Sequence, residues 1–376
     1  MQTCDTPFGT LSVERYPPTR NPTLQAFDAA DLYLIQESAE HLEGAAPVLV
    51  VNDQFGALAI AMAKAGRAVL SWGDSDMARR ALEANLQRNG LPGRSIAFVD
   101  SQTTPHPAPG LVLMRVPKSL SLFEDQLSRL TTSIPNGCPV ICGSMLKHLP
   151  PTAGNLLERL IGPYQASLAW KKARLLRSSF SQEPQVRYTP HATAYSLPDR
   201  AAELHNLPGV FARERLDIGT RVLLPEIPKD LQNALIVDLG CGNGALGIEA
   251  ALRNPQARVH FVDESFAAIA SARLNFERSF PGREASYSVA DGLVDGLPEP
   301  ADLILCNPPF HQQQVVGDEI AVRLFQQAHA ALKQGGRLII VGNRHLGYHL
   351  RLRKLFGSVQ QLAATPKFVV LAAQRR

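Results

Sequence analysis

Asn307, Pro308, Pro309 and Phe310 follow directly on Leu303–Cys306, a run apolar enough to be a buried strand. Neither proline can extend that strand, because each lacks a ladder N–H and has its φ fixed. The strand stops, and a stiff turn holds the Asn307 amide and the Phe310 ring at its C-terminal end. An amide oxygen and a carbonyl on the proline turn can accept both N–H bonds of a planar exocyclic amine. That favours a tetrahedral nitrogen with its lone pair free to meet an electrophile, while an aromatic ring can stack on the base that carries the amine. No strong base is needed, since the alkylated amine can lose its proton afterwards and positioning supplies much of the rate. His311, next in line, reads as a polar turn residue.

An electrophile needs a cradle. VDLGCGNG places Gly240, Gly242 and Gly244 after an apolar strand and before a helix, with Asp238 beside the turn. Glycines there let a ligand approach the main chain at the strand C-termini. The next strand ends in Asp263, at the distance expected for an acid that takes two ribose hydroxyls. The following one ends in Asp291, placed to accept from an adenine amino group. Each acid taken singly could be an ordinary helix cap. Gly240, Gly242 and Ala245 also satisfy the dinucleotide fingerprint, so a nicotinamide cofactor and S-adenosylmethionine both fit this far. The Asn-Pro-Pro-Phe turn separates them: hydride transfer has no use for it, whereas methylation of an exocyclic amine does. Spacing leaves the amine open among adenine N6, cytosine N4, guanine N2 and a protein glutamine.

The elements that must position these residues occur twice. ALIVDLGCGNGALGIEAAL, RVHFVDE, ASYSVADG, LILCNPPF, GGRLIIVGN and KFVVLAAQ alternate with helical stretches in the second half. PVLVVNDQFGALAIAMA, RAVLSWGDSD, SIAFVDS, LVLMRVPKSL, CPVICGSM and ASLAWKKARLLRSSF repeat the order in the first. This is an α/β fold of two tandem Rossmann-like domains with parallel sheets. The weakly patterned stretch around 181–200 sets the boundary, giving domains 1–190 and 191–376. In the first copy Asn52 and Gln54 stand where two of the glycines would be, Phe55 adds bulk, and Val116-Pro117-Lys118 replaces Asn-Pro-Pro. That copy is expected neither to hold the cofactor nor to catalyse. Arg115, Lys118, Lys171, Lys172 and Arg174 would contact phosphates there; the alternative is a purely structural shield.

Bulk properties set the frame. At 376 residues the chain exceeds one typical core. An apolar fraction of 45% and no long apolar run describe a globular protein outside membranes. Residues 1–190 hold 18 Lys and Arg against 16 Asp and Glu, and the remainder 20 against 18, so neither half is a strongly basic binding domain. A non-enzymatic RNA-binding module therefore gains little support. Five scattered cysteines and no secretion signal favour a reducing, cytoplasmic setting. No metal-ligand spacing is complete, so no metal is expected. The duplication already gives two lobes, and a monomer is the expected state.

VDLGCGNG, FVDES, ADG and NPPF in this order resemble the class I S-adenosylmethionine-dependent methyltransferases. The resemblance implies seven-stranded sheets with a reversed last strand, which KFVVLAAQ would supply. LPGVFARERLDIGTRVLL, CNPPFHQ and NRHLGYH narrow it to the ribosomal RNA guanine-N2 methyltransferases, which are built from two tandem methyltransferase-like domains. VERYP, NPTLQAFDAADLYLIQ, VNDQFGAL, RVPKSL and LAWKKAR extend it over the first half. It implies S-adenosyl-L-methionine as cofactor, held by Asp238, Gly240, Gly242, Gly244, Asp263 and Asp291. Asn307, Pro308 and Phe310 would hold a guanine of ribosomal RNA, 23S in preference to 16S. Phe211, Arg213 and Asp217 would lie in a segment that packs over the cofactor and reaches the substrate.

Overall fold

The computed structural model describes residues 2–19, 21–181, 193–198, 202–309 and 314–376. It divides into two compact units, Met1–His191 and Ala192–Arg376. Most of the expected connecting stretch, together with Phe310 and His311, lies outside the described residues.

The first unit opens with an antiparallel hairpin, β1 (Gln2–Thr6) and β2 (Gly9–Val13), and the helix α1 (Ala29–Ser38). Strands and helices then alternate: β3 (Val48–Val51), α2 (Ala57–Lys64), β4 (Val69–Gly73), α3 (Asp76–Arg88), β5 (Ile96–Asp100), β6 (Leu111–Arg115), α4 (Leu120–Leu130), β7 (Pro139–Met145) and α5 (Ala153–Leu160). The unit closes on a hairpin, β8 (Tyr164–Ala166) and β9 (Ala173–Ser179), joined by a largely exposed connection. A polar Ser167 whose hydroxyl accepts from Leu175 N at 2.9 Å lets the chain fold back there.

The second unit repeats the plan. Hairpin β10 (Thr193–Ser196) and β11 (Glu203–Asn206) precedes α6 (Ile218–Leu223). There follow β12 (Leu235–Leu239), α7 (Ala245–Arg253), β13 (Arg258–Asp263), α8 (Phe266–Ser279), β14 (Ser286–Val289), β15 (Ala301–Cys306), α9 (Gln314–Ala331), β16 (Leu332–Asn343), α10 (Tyr348–Phe356), β17 (Val359–Ala364) and β18 (Phe368–Gln374). The helix α9 ends at Ala331 and does not run on through Lys333. Residues 333–336 instead bulge out of β16, whose register jumps between Ala301 and Leu303, and Gly335 takes φ +80° there.

Both sheets have seven strands, in the orders β5-β4-β3-β6-β7-β9-β8 and β14-β13-β12-β15-β16-β18-β17. The long C-terminal strands β9 and β18 run antiparallel to their neighbours, so the fold implied by the resemblance is the fold observed. Strand residues alternate between two faces, each covered by helices. Ile236, Leu303, Leu305 and Ile339 bury on one face, and Val237, Leu239, Ile304 and Ile340 on the other. In the second sheet the chain order reverses between β12 and β15, and Leu239 pairs with Cys306. The residues after that pair, Gly240 and Asn307, therefore emerge side by side at the edge where such sheets bind ligands.

Candidate active site

Gly240, Gly242 and Gly244 all take left-handed backbone, with φ of +72°, +54° and +86°. A Cβ added at Gly240 or Gly242 would meet nothing within 4 Å, so the conformation calls for glycine there while the space above the turn stays open. Gly244 caps α7 and is also crowded: a Cβ would lie 3.1 Å from the Ala272 Cβ. Beneath the turn, Asp238 is fully buried and accepts from Gly247 N at 2.7 Å. Burial pushes its pKa up to about 8; the Gly247 bond opposes that shift and the Asp263 charge adds to it. Asp238 thus supports the turn from the core side.

A cavity opens over these glycines, walled by Tyr195, Phe211, Leu216, Asp217, Thr220, Asn243 and Asn307. Asn307 sets its chemistry. Its Nδ2 donates to Asp217 Oδ2 at 3.0 Å and to Thr220 Oγ1 at 2.9 Å. A carboxylate only accepts, so the amide nitrogen must face Asp217 and the oxygen is turned the other way. That oxygen, Oδ1, is buried and has no hydrogen-bond partner. Asp217 itself caps α6, accepting from Thr220 N at 2.9 Å, so a single short helix carries both groups that aim the amide. Pro308 is buried and Pro309 exposed. Phe211 is 55% exposed, leaving an aromatic face at the rim.

Asp263 and Asp291 stand at the same sheet edge but do not line this cavity. Asp263 accepts from Gly242 N at 2.8 Å and from Ser265 N at 3.0 Å, which ties the glycine turn to the start of α8. Asp291, nearly fully buried, is ion-paired with Arg323 of α9. Arg213 lies outside the walls; its carbonyl accepts from Thr193 Oγ1 at 2.8 Å. Tyr195, Thr220 and Asn243 are wall residues too; Tyr195 stands outside every motif, whereas Thr220 and Asn243 sit inside quoted motifs without having been singled out. Asn243 Nδ2 donates to Tyr195 Oη at 2.6 Å and to Asn206 Oδ1 at 2.7 Å, fastening the turn to the β10–β11 hairpin. Cys241 and Cys306 are buried, and burial raises both thiols far above neutrality, so neither is a nucleophile. Among the described residues no cluster of His, Cys, Asp or Glu could hold a metal ion, and no helix is long and apolar enough to cross a membrane.

The first unit fills the equivalent edge with side chains. Asn52 keeps the left-handed backbone at φ +60°, and its amide is locked to Gln126 and to the Arg115 carbonyl. Asp53 is buried, accepting from Gly56 N and Ala59 N at 3.0 and 2.9 Å. Phe55 is 5% exposed, with the Arg15 guanidinium 4.6 Å from its ring centroid. Arg115, expected to meet phosphate, is instead bound to Asp28 at 2.7 Å and Asp31 at 2.6 Å. Two carboxylates from α1 and its cap therefore take up its charge. Lys118, Lys171 and Lys172 are exposed, and Arg174 is half-buried in β9.

Residues 1–182 match the RLMG N-terminal domain model and residues 201–372 the methyltransferase small domain model. A protein of Pseudomonas putida (strain GB-1) named ribosomal RNA large subunit methyltransferase G is 52% identical, covering 98% of this chain and 99% of its own. One of the same name from Stutzerimonas stutzeri (strain A1501) is 52% identical over 99% of each. The solved structure of a T. thermophilus 16S rRNA N2 methyltransferase (RsmC), in complex with AdoMet and guanosine, superposes with a TM-score of 0.79 at 21% identity, covering 100% of this chain and 98% of that one. At that identity the likeness is one of fold.

Proposed function

The chain belongs to the ribosomal RNA large subunit methyltransferase G family, and from that premise we propose that its second domain methylates the exocyclic N2 of one guanine in 23S rRNA. It is a methyltransferase, and its methyl donor is S-adenosyl-L-methionine. The open space over Gly240 and Gly242 fits that donor, because no side chain intrudes where its backbone-hugging part would lie. When bound, the donor supplies an electrophilic methyl on a sulfonium and leaves as a neutral thioether.

The carrying observation is the buried, unpartnered Oδ1 of Asn307. Such an orphan is costly unless a donor arrives, and a guanine N2 amine brings one. Asp217 holds the other end of the amide, polarising it so that Oδ1 accepts more strongly. With one N–H on Oδ1 and the other on the Pro308 carbonyl, the amine lone pair is freed from the ring and directed over the glycine turn. The N–CH3 bond forms as the S–CH3 bond breaks, and the extra proton leaves to water. Phe211 at the rim and Phe310 would bracket the base; Asp263 and Asp291 would serve the ribose and adenine. For Asp291 this requires Arg323 to share its carboxylate with the adenine amine.

On this reading the first domain supplies no chemistry, since Phe55, Asn52 and the Arg115 cluster occupy its edge, and it acts as an RNA-binding or shielding lobe of a monomeric cytoplasmic enzyme. The test is transfer of labelled methyl from S-adenosylmethionine to unmodified 23S and 16S rRNA, with Asn307→Ala alongside. Label in 23S guanine, lost in the variant, is the expected result. Label in 16S alone moves the substrate to the small subunit, and no label with the donor bound overturns the reading.

A further inference from the structure

Asn343 ends β16 with an amide that the fold leaves unused. It is 7% exposed, and its Oδ1 is buried with no hydrogen-bond partner. The sheet fixes where it stands. Ile339 and Val341 bury on the face that takes Leu303 and Leu305, so alternation puts Asn343 on the face of Asn307. Cys306 pairs with Ile340, which sets Asn343 one strand across from Asn307 and two residues nearer the ligand-binding edge. Sheet spacing makes that interval about 8 Å between Cα atoms. Helix α6, whose cap and first turn hold the Asn307 amide, lies on the same patch. A Cβ added at its Gly219 would come 3.4 Å from Phe368 Cε1 and 3.5 Å from Val341 Cγ1, and Phe368 is the pairing partner of Asn343.

The first unit shows that the fold does not ask for amides here. Val51 pairs with Met114 as Leu239 does with Cys306, and Met114 pairs with Cys142 as Cys306 does with Ile340. That register sets Arg115, one residue before Val116, level with Asn307, and Met145 level with Asn343. The copy without the open turn thus has a cation and a thioether at the two positions. A pair of amides present only beside the cavity points to a ligand that uses both.

The group beside the amine distinguishes the bases that Asn307 could hold. In adenine it is the bare N1, in cytosine the bare N3 and in a glutamine the carbonyl oxygen, and each of these accepts. Guanine alone carries an N–H there, N1–H, followed by the O6 acceptor. A carboxamide offers an acceptor and a donor side by side, which is the complement of that N1–H and O6 pair. A buried acceptor that is costly while empty is relieved by guanine N1–H, and the bare nitrogens have no proton to give it.

We propose that Asn343 selects guanine, its Oδ1 accepting from N1–H and its Nδ2 donating to O6 while Asn307 takes the N2 amine. This rests on the reading that guanine N2 is methylated, and it names the residue that imposes that choice.

The experiment compares full-length wild type with Asn343→Leu on 23S rRNA, protein-free and reassembled into large subunits, carrying guanine or 2-aminopurine at the methylated position. 2-Aminopurine keeps the N2 amine and lacks both N1–H and O6. The readouts are kcat/KM for methyl transfer, donor affinity and the thermal midpoint. Asn343→Leu should lose at least about tenfold on guanine and less than about twofold on 2-aminopurine, so that the wild-type preference for guanine collapses. Any intrinsic difference between the two amines cancels in that comparison. Donor affinity should stay within about twofold, and the variant should melt no lower than wild type, because leucine removes an unpartnered buried amide. A preference for guanine that survives in the variant overturns the proposal. So does a variant that melts lower and loses both substrates equally, which marks a structural amide. Guanine labelled in 16S rRNA alone moves the substrate, and the same comparison on that guanine decides Asn343. Methyl on an adenine, a cytosine or a protein glutamine, or on nothing, sinks the guanine reading and the proposal together; methyl on guanine with unchanged preference sinks the proposal alone.

Discussion

Asn85 and Asn275 are one clamp built twice. Asn85 Oδ1 accepts from Glu14 N at 3.0 Å, and its Nδ2 donates to Glu14 O and Phe55 O at 2.8 and 2.9 Å. Asn275 Oδ1 accepts from His205 N at 2.7 Å, and its Nδ2 donates to His205 O and Asn243 O at 2.8 and 3.0 Å. Both are fully buried on the third helix of their unit, α3 and α8, and each ties the leading hairpin to the turn after the first sheet strand. Only in the second unit does that turn carry the cavity.

Alanine at either position strands three backbone groups, one of them in a buried bond and two part-buried. Each variant should lose about 2–4 kcal/mol from its own domain. Scanning calorimetry should show Asn275→Ala lowering the transition of the second domain and Asn85→Ala that of the first. An Asn275→Ala protein that melts like wild type would mean water replaces the clamp without loss.

The aim of Asn307 should depend on the two groups that hold its amide nitrogen. Thr220→Val removes one of its two acceptors, and Asp217→Asn removes the charge that fixes which way the amide points. Single-turnover methyl transfer should slow about 10- to 100-fold in each, with donor affinity within about twofold of wild type, because near-attack geometry is lost and not binding. Equal losses in rate and donor affinity would indicate collapse of α6 instead.

Two glycines seven residues apart should fail differently. Gly240→Ala puts a methyl into open space at φ +72°, so it should cost about 1–2 kcal/mol of backbone strain and weaken donor binding. Gly247→Ala drives a methyl to 2.3 Å from Phe261 Cε1, so it should destabilise the domain by about 1–3 kcal/mol or more. Calorimetry with and without donor separates the two outcomes.

Asp238 gives the pH dependence a sign. Its folded pKa of about 8 lies above the ordinary value of 3.8, so the native state holds a proton that the unfolded chain has released. The stability from this group is complete below about pH 4 and is lost as pH rises toward 8. Asp238→Asn keeps an acceptor for Gly247 N and cannot ionise. Its thermal midpoint should therefore gain on wild type steadily from pH 5 to pH 8; a constant difference would place the titration elsewhere.

The sequence was most legible where chemistry constrains the backbone. Prolines end β15, glycines turn left-handed before α7, and apolar runs repeat in one order twice, so the sheets and their shared edge follow from local rules. Contacts between distant segments were not legible. Asn307 meets Asp217 across 90 residues, Arg115 meets Asp28 across 87, and Asp291 meets Arg323 across 32. Nothing in the spacing of Arg115 distinguishes a phosphate contact from an internal ion pair. Tyr195 and Thr220 belong to the cavity only because a hairpin and a six-residue helix fold over the turn.

On the proposed reading, the packing around Phe55 also makes the first domain's silence hard to reverse. Glycines at 52 and 54 alone would leave the ring in place. Trimming the ring would open a void beneath Arg15, and removing Arg115 would leave the buried Asp31 without its cation. Every first step back toward an open pocket lowers stability before any benefit appears, so selection acting one substitution at a time meets a ratchet. A copy locked in this way cannot revert to a rival active site, and its outer surface is free to diversify.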